Sequence, residues 1–352
     1  MRLASCFLLS LLACAAQAEE VLRVYNWKNY IDPEVLTAFA KDTGIRVDYQ
    51  TFTAASELDE VMARHEPYDI VVPSHFQLER LIGNHDLLPL DLARLPHYTS
   101  VDPGLIAMLA GNNSANRFAV PYLWGAIGLA VNTELAQKAY GGPLPNSWSL
   151  LFDEAQASRL ASCGLSLLDA PEETASLWFT YRGRSLSLTS ARQIERNMQP
   201  LQALGPHLRT LDNERYISDL AEGRLCVSMA WVGHALTAAQ SNPHLTYRIP
   251  EEGAVAFIDS LSIPANAAHP ELAYRFIDYL LQPQNALRNA RVTRFYSPLA
   301  PGAELTQLAK EQPMQVLKAD ERRRLYVLER LSPEQKAGLD AAWSKLKATY
   351  RP

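Results

Sequence analysis

Residues 253–264 read Gly-Ala-Val-Ala-Phe-Ile-Asp-Ser-Leu-Ser-Ile-Pro, from Gly253 to Pro264. The run predicts an extended strand ended by a proline, apolar on both faces and therefore buried. Asp259 stands inside it, and Phe257, two residues earlier, points to the same side of a strand. A buried carboxylate beside an aromatic ring is costly unless a cation satisfies it. The pair suits an ammonium group, the ring through its quadrupole and the carboxylate through its charge. The same residues also read as a strand-end Asp capping a turn before Ile263-Pro264. On this stretch alone both readings stay open, because perturbed carboxylates mark sites only statistically.

The chain has 352 residues, enough for two domains of ordinary size. Hydrophobic residues make up 48% and charged residues 20%, a globular rather than disordered composition. A net charge of −5 gives no electrostatic case for nucleic acid. Residues 1–18 predict an export signal: Arg2 is the positive end, Leu3 to Ala13 the apolar core, and Ala16-Gln17-Ala18 a small-residue cleavage site. The apolar core is too short to span a bilayer as a helix. The exported chain is expected to begin near Glu19 and to reside in the periplasm. Leu11-Leu12-Ala13-Cys14 is an imperfect lipoprotein-type alternative in which Cys14 would carry a lipid, although Leu12 is bulky for its place. Cys163 and Cys226 remain after cleavage, either paired, as exported cysteines tend to be, or as two buried thiols. Without His/Cys clustering no zinc site is expected, nor any cofactor.

In chain order, strands and helices alternate. Val21 to Trp27 predicts a first strand. Asp32-Pro33 then starts a helix, as N-cap and first helical residue, and Gly44 ends it. Arg46 to Phe52 predicts a strand, Ala55 to His65 a helix and Tyr68 to Pro73 a third strand, followed by Ser74-His75-Phe76 and another helix. This pattern predicts βαβ units on a mainly parallel sheet, where ligands bind beyond the carboxyl ends of the strands. Trp27, Tyr30, Ser74 and Phe76 all fall there. Arg117 to Asn132 reads as two short extended pieces around Tyr122-Leu123-Trp124-Gly125, leading into a second unit of the same kind. There Leu150 to Leu160 and Ser190 to Leu204 predict helices, and Cys163 to Asp169 and Leu225 to Trp231 predict strands. Residues 253–264 return the chain to the first unit. Pro270 to Leu281 is an amphipathic helix, and a final helix starts at Ser332-Pro333-Glu334.

Other constellations carry little. Gly141-Gly142 is followed by Pro143-Leu144-Pro145 and makes no phosphate loop. The eight histidines are scattered, and Ser74 beside His75 is adjacency rather than nucleophile–base geometry. Arg322-Arg323-Arg324 follows Asp320 and Glu321, which reads as a solvated, salt-bridged face.

Six motifs in order carry a resemblance over essentially the whole exported chain. They are Tyr25-Asn26-Trp27-x-x-Tyr30-Ile31, Tyr68-Asp69-x-Val71-Val72-Pro73-Ser74, Trp124-Gly125 with Asn132, Leu168-Asp169-Ala170-Pro171-Glu172-Glu173, Trp231-x-Gly233, and Phe257-x-Asp259-x-Leu261-x-Ile263-Pro264. Each is weak alone. Together the chain resembles the bacterial periplasmic polyamine-binding proteins, the putrescine/spermidine receptors of ABC importers. The resemblance implies an α/β fold of two lobes with a hinge and an interlobe ligand cleft. It implies a monomeric, non-enzymatic receptor whose partners are a small organic cation and an inner-membrane ABC permease. By position, Trp27, Tyr30, Trp231, Phe257 and Tyr296 would box the methylene chain, Glu173 and Asp259 would receive the ammonium groups, and Ser74 and Phe76 would line the cleft. It also implies a Cys163–Cys226 disulfide. The lobes expected are 19–130 with 253–300, and 131–252 with 301–352.

The chain departs from the family pattern at His234, where diamine-binding members usually carry an acid. A neutral imidazole could accept from an ammonium, whereas a protonated one would repel it. Asn29 likewise replaces a frequent acid, and Ala170 takes a place that can be acidic. Either His234 lines the site and alters specificity, or it points away. Two rival functions remain: the same scaffold binding a non-polyamine amine or amino-acid-like ligand, and an exported hydrolase using Ser74 and a histidine.

Overall fold

The structure of the protein, a computed structural model, describes residues 20–111 and 114–351. The expected export signal, its cleavage site and the Cys14 alternative lie outside the described residues.

Ten strands are present among the described residues: β1 (Val21–Trp27), β2 (Arg46–Phe52), β3 (Ile70–Val71), β4 (Ala119–Asn132), β5 (Leu165–Leu167), β6 (Leu208–Leu211), β7 (Val227–Trp231), β8 (Leu245–Arg248), β9 (Ala254–Ser262) and β10 (Leu325–Val327). They hydrogen-bond in the order β2-β1-β3-β9-β4-β7-β5-β6, with β10 on β9 and β8 on β4. The expected parallel sheet holds on the two flanks, where β1 pairs β2 and β3, and β5 pairs β6 and β7. The centre is antiparallel, because β4 takes the chain from one half to the other and β9 brings it back. Residues 119–132 form one strand rather than the two pieces expected. Pro121, which lacks an N–H, is absorbed by a register shift between Pro121 and Leu123.

Helix ends follow the sequence signals. Asp32 accepts from the Glu34 amide at 2.9 Å at the start of Pro33–Thr43, and Gly44 closes that helix with φ 75°. The expected helix 150–160 is broken at Asp153, which N-caps Glu154–Leu160. The helix expected over 190–204 runs only Ala191–Met198 and tightens into a 3₁₀ segment, Gln199–His207, holding Pro200 and Pro206.

Two large apolar cores result. One gathers Leu22, Phe39, Phe52, Ile70, Leu261 and Phe276 around β1–β3; the other gathers Trp148, Leu165, Phe179, Val227 and Trp343 around β5–β7. The architecture is α/β and two-lobed. The tail divides between packing partners. Leu308 of the helix Ala303–Glu311 packs with Ala286, Leu287 and Leu299, while Leu339, Trp343 and Leu346 of Pro333–Thr349 enter the second core. Cys163 and Cys226 form a disulfide with Cα atoms 5.5 Å apart. The basic run is less solvated than expected, since Arg322 reaches back to the buried Asp102 and stands over the Trp124 ring.

Candidate functional site

Asp259 is 4% exposed and sits midway along β9, opposite Leu123 of β4. Its two oxygens have separate donors. Tyr30 Oη donates to Oδ2 at 2.6 Å, and Ser74 Oγ donates to Oδ1. Burial pushes the Asp259 carboxyl up to about 6, against the pull of the two hydroxyls. Burial and the facing Asp259 push Tyr30 well above its ordinary range, so the phenol keeps its proton and acts as the donor. No cation pairs with Asp259 among the described residues. The alternative reading as a turn cap fails on position, since three more strand residues follow it.

Ser74 reaches Asp259 because β3 and β9 adjoin. Residues 74 and 259 form a backbone bridge, and the Ser260 amide donates to Pro73 O at 3.0 Å. Ser74 opens the helix His75–Gly83, where Gln77 Oε1 accepts from the Ser74 amide at 3.1 Å. The serine hydroxyl thereby serves the carboxylate. His75 Nδ1 accepts from the Ile258 amide at 3.4 Å, and no hydrogen bond joins Ser74 to a histidine among the described residues. Nothing here resembles a nucleophile held by a base.

Aromatic rings surround this centre. Tyr30 meets Phe295 edge-on at 4.8 Å and Tyr122 at 6.0 Å. Phe295 also lies 5.9 Å from Phe257 and 6.0 Å from His234, and His234 lies 5.5 Å from Trp231. The rings run as a connected series from Tyr30 in the first lobe to Trp231 at the end of β7 in the second. Two glycines make room for it. A Cβ on Gly125 would stand 2.5 Å from Phe257 Cζ, and one on Gly233 would stand 2.6 Å from Phe295 Cδ2. The Trp124-Gly125 and Trp231-x-Gly233 motifs therefore have a steric meaning.

The other expected residues fall as follows. Trp27 ends β1, packs on Phe52 at 4.4 Å and donates its indole N–H to Val72 O at 3.0 Å. Phe76, on the first turn of its helix, is 40% exposed. Glu173 lies in the first turn of Pro171–Tyr181, beyond the end of β5 and hence beside the end of β7. The residue is half-buried, and burial of its carboxyl pushes the pKa up to about 7. Tyr296 packs on Trp124 at 4.9 Å, with which it also exchanges backbone hydrogen bonds. Its neighbour Phe295 is the residue whose ring joins the series. Sequence reasoning missed Phe295; adjacent residues on an extended segment face opposite sides, so only one of the two could join.

His234 faces the rings rather than pointing away. Its Nδ1 lies 2.8 Å from the phenol oxygen of Tyr216, and burial lowers its pKa to about 4, so the ring is neutral at neutral pH.

The arrangement can hold one cation at a desolvated carboxylate and cover an apolar chain with ring faces. Among the described residues no group of three or more His, Cys, Asp and Glu could hold a metal ion.

The model of the bacterial extracellular solute-binding protein family matches residues 34–316. The chain is 33% identical to the putrescine-binding periplasmic protein of Escherichia coli K12, covering 95% of this chain and 93% of that protein. It is 32% identical to a putrescine/agmatine-binding protein of Pseudomonas aeruginosa, covering 94% and 92%. Among solved structures, a putative spermidine/putrescine ABC transporter protein of Listeria monocytogenes superposes with a TM-score of 0.80 at 25% identity, covering 93% of this chain and 99% of that one.

Proposed function

The chain belongs to the bacterial extracellular solute-binding protein family, and from that premise we propose that it captures a polyamine or related organic cation for an ABC importer. One observation carries this reading. Asp259 is a buried carboxylate with two hydroxyl donors, no cationic partner among the described residues, and aromatic rings around it. Such a group lacks only a cation. An ammonium at Asp259 gains charge pairing, and the methylene chain gains ring faces at about 0.5–2 kcal/mol per cation–aromatic contact. Relatives named for putrescine and agmatine support the same reading.

In this proposal Trp27, Tyr30, Phe257, Trp231 and Phe295 cover the chain of the ligand, with Ser74 holding Asp259 and Glu173 serving the far end. Tyr296 supports the box from behind through Trp124, and Phe76 is a rim residue. The first lobe comprises 19–130 with 253–300, the helix Ala303–Glu311 packing on it through Leu308, and the second comprises 131–252 with the helix Pro333–Thr349 of the tail 301–352. Residues 1–18 direct export to the periplasm, and the receptor is a monomer that meets an inner-membrane permease through both lobes. Lobe closure excludes water and strengthens both the charge and the ring contacts.

Titration calorimetry with putrescine, cadaverine, spermidine and agmatine tests the proposal. Binding by at least one, lost in Asp259→Asn, is the expected result. Binding of none, or binding indifferent to Asp259→Asn, would overturn it.

A further inference from the structure

Tyr216 decides which nitrogen of His234 carries the proton. Tyr216 is fully buried, and its phenol oxygen lies 2.8 Å from His234 Nδ1. Among the described residues the phenol proton has no other acceptor than Nδ1. A buried hydroxyl proton left without an acceptor is costly, so Tyr216 donates to Nδ1. Nδ1 is then the unprotonated nitrogen, and the neutral imidazole carries its single proton on Nε2. Nε2 has no hydrogen-bond partner among the described residues and is not sealed from solvent. It is a free N–H donor beside the rings of Trp231 and Phe295.

A free donor at this place opposes an ammonium group, which also offers only donors. It fits a carbonyl oxygen. Glu173, in the first turn of the helix that follows the neighbouring parallel strand β5, offers an acceptor at the same edge of the second lobe, beyond the carboxyl ends of β5 and β7. A donor and an acceptor together match the C=O and N–H of a secondary amide.

We propose that the receptor selects amines with one ammonium end and one amide end, of which a mono-acylated diamine is the simplest. The ammonium pairs with Asp259, and the amide carbonyl accepts from His234 Nε2–H. The proposal rests on the amine-receptor reading above and names the ligand class of that same site.

Calorimetric titration of the purified protein with N-acetylputrescine, putrescine and butylamine tests it. N-acetylputrescine should bind about tenfold tighter than putrescine, in line with one hydrogen bond gained and one donor–donor clash removed. His234→Asp should invert that order. Tyr216→Phe frees the tautomer and should bring the ratio toward unity. Imidazole ¹⁵N NMR of the native protein should place the proton of His234 on Nε2. Putrescine binding tighter than N-acetylputrescine, a ratio unmoved by His234→Asp, or a proton on Nδ1 would overturn the selectivity while leaving the amine receptor standing. Failure of all three amines to bind would overturn both.

Discussion

Tyr30 and Asp259 lie 229 residues apart in sequence and 2.6 Å apart in space, phenol to carboxylate. Ser74 holds the other oxygen of the same carboxylate. The three residues join the end of the first βα turn, the start of the third and the middle of the returning strand into one buried acceptor.

That junction sets a pH profile. Ammonium binding needs Asp259 ionised, and burial places its pKa at about 6. Affinity should be greatest above pH 6 and fall toward tenfold per unit below it. Tyr30→Phe removes a donor to the carboxylate, so the fall should begin at higher pH. Titrations from pH 5 to 8 read both effects; affinity that is flat with pH would remove Asp259 from the site.

Glu173, held up to about 7, adds an inflection nearer neutrality if its charged form contributes to binding. Glu173→Gln should erase that inflection and leave the one from Asp259 in place. An unchanged profile would place Glu173 outside the ligand's reach.

The buried acid also costs stability. Its folded pKa of about 6 exceeds the ordinary 3.8, so the cost is full above pH 6 and absent below pH 3.8. It amounts to about 3 kcal/mol at neutral pH. Asp259→Asn removes the charge and keeps the shape. Its unliganded melting temperature at pH 7.5 should match or exceed that of the native protein, while ligand binding is lost. A clear drop in melting temperature would mean that the two hydroxyl bonds outweigh the desolvation.

Gly233→Ala and Gly125→Ala should each displace a ring, Phe295 and Phe257 respectively. The expected cost is about 1–3 kcal/mol of stability with at least tenfold weaker binding. Gly83→Ala, in a helix with open space around its Cα, should be neutral or slightly stabilising. Thermal melts and titrations of the three variants separate a packing requirement from a general intolerance of alanine.

The disulfide closes a 63-residue separation. Replacing both cysteines by serine should lower stability by about 2–4 kcal/mol. Cys226 precedes β7 at the end away from Trp231, so affinity should hold. A loss of affinity equal to that of Gly233→Ala would show that the second lobe needs the crosslink to shape its edge.

Local signals were legible where the cause is local. Asp32-Pro33 and Gly44 bound their helix because capping and left-handed closure depend on neighbouring residues alone. The strand around Asp259 was legible for the same reason, since its apolar run needs no partner to be recognised. The antiparallel centre was less so. Alternation of strands and helices says nothing of which strands return, and β4 and β9 pair over more than a hundred residues of intervening chain.

The sequence by itself determined the alternating elements, the buried carboxylate with a ring two residues before it, and the aromatic residues at strand ends. Tertiary structure alone decided that Ser74 and Tyr30 would share Asp259, that Phe295 rather than Tyr296 would join the rings, and that Tyr216 would orient His234. Periodicity and capping act within a few residues and leave their mark in the chain. Hydrogen bonds and ring contacts between distant segments depend on register and on which face of an extended segment is turned inward, and those exist only once the sheet has closed.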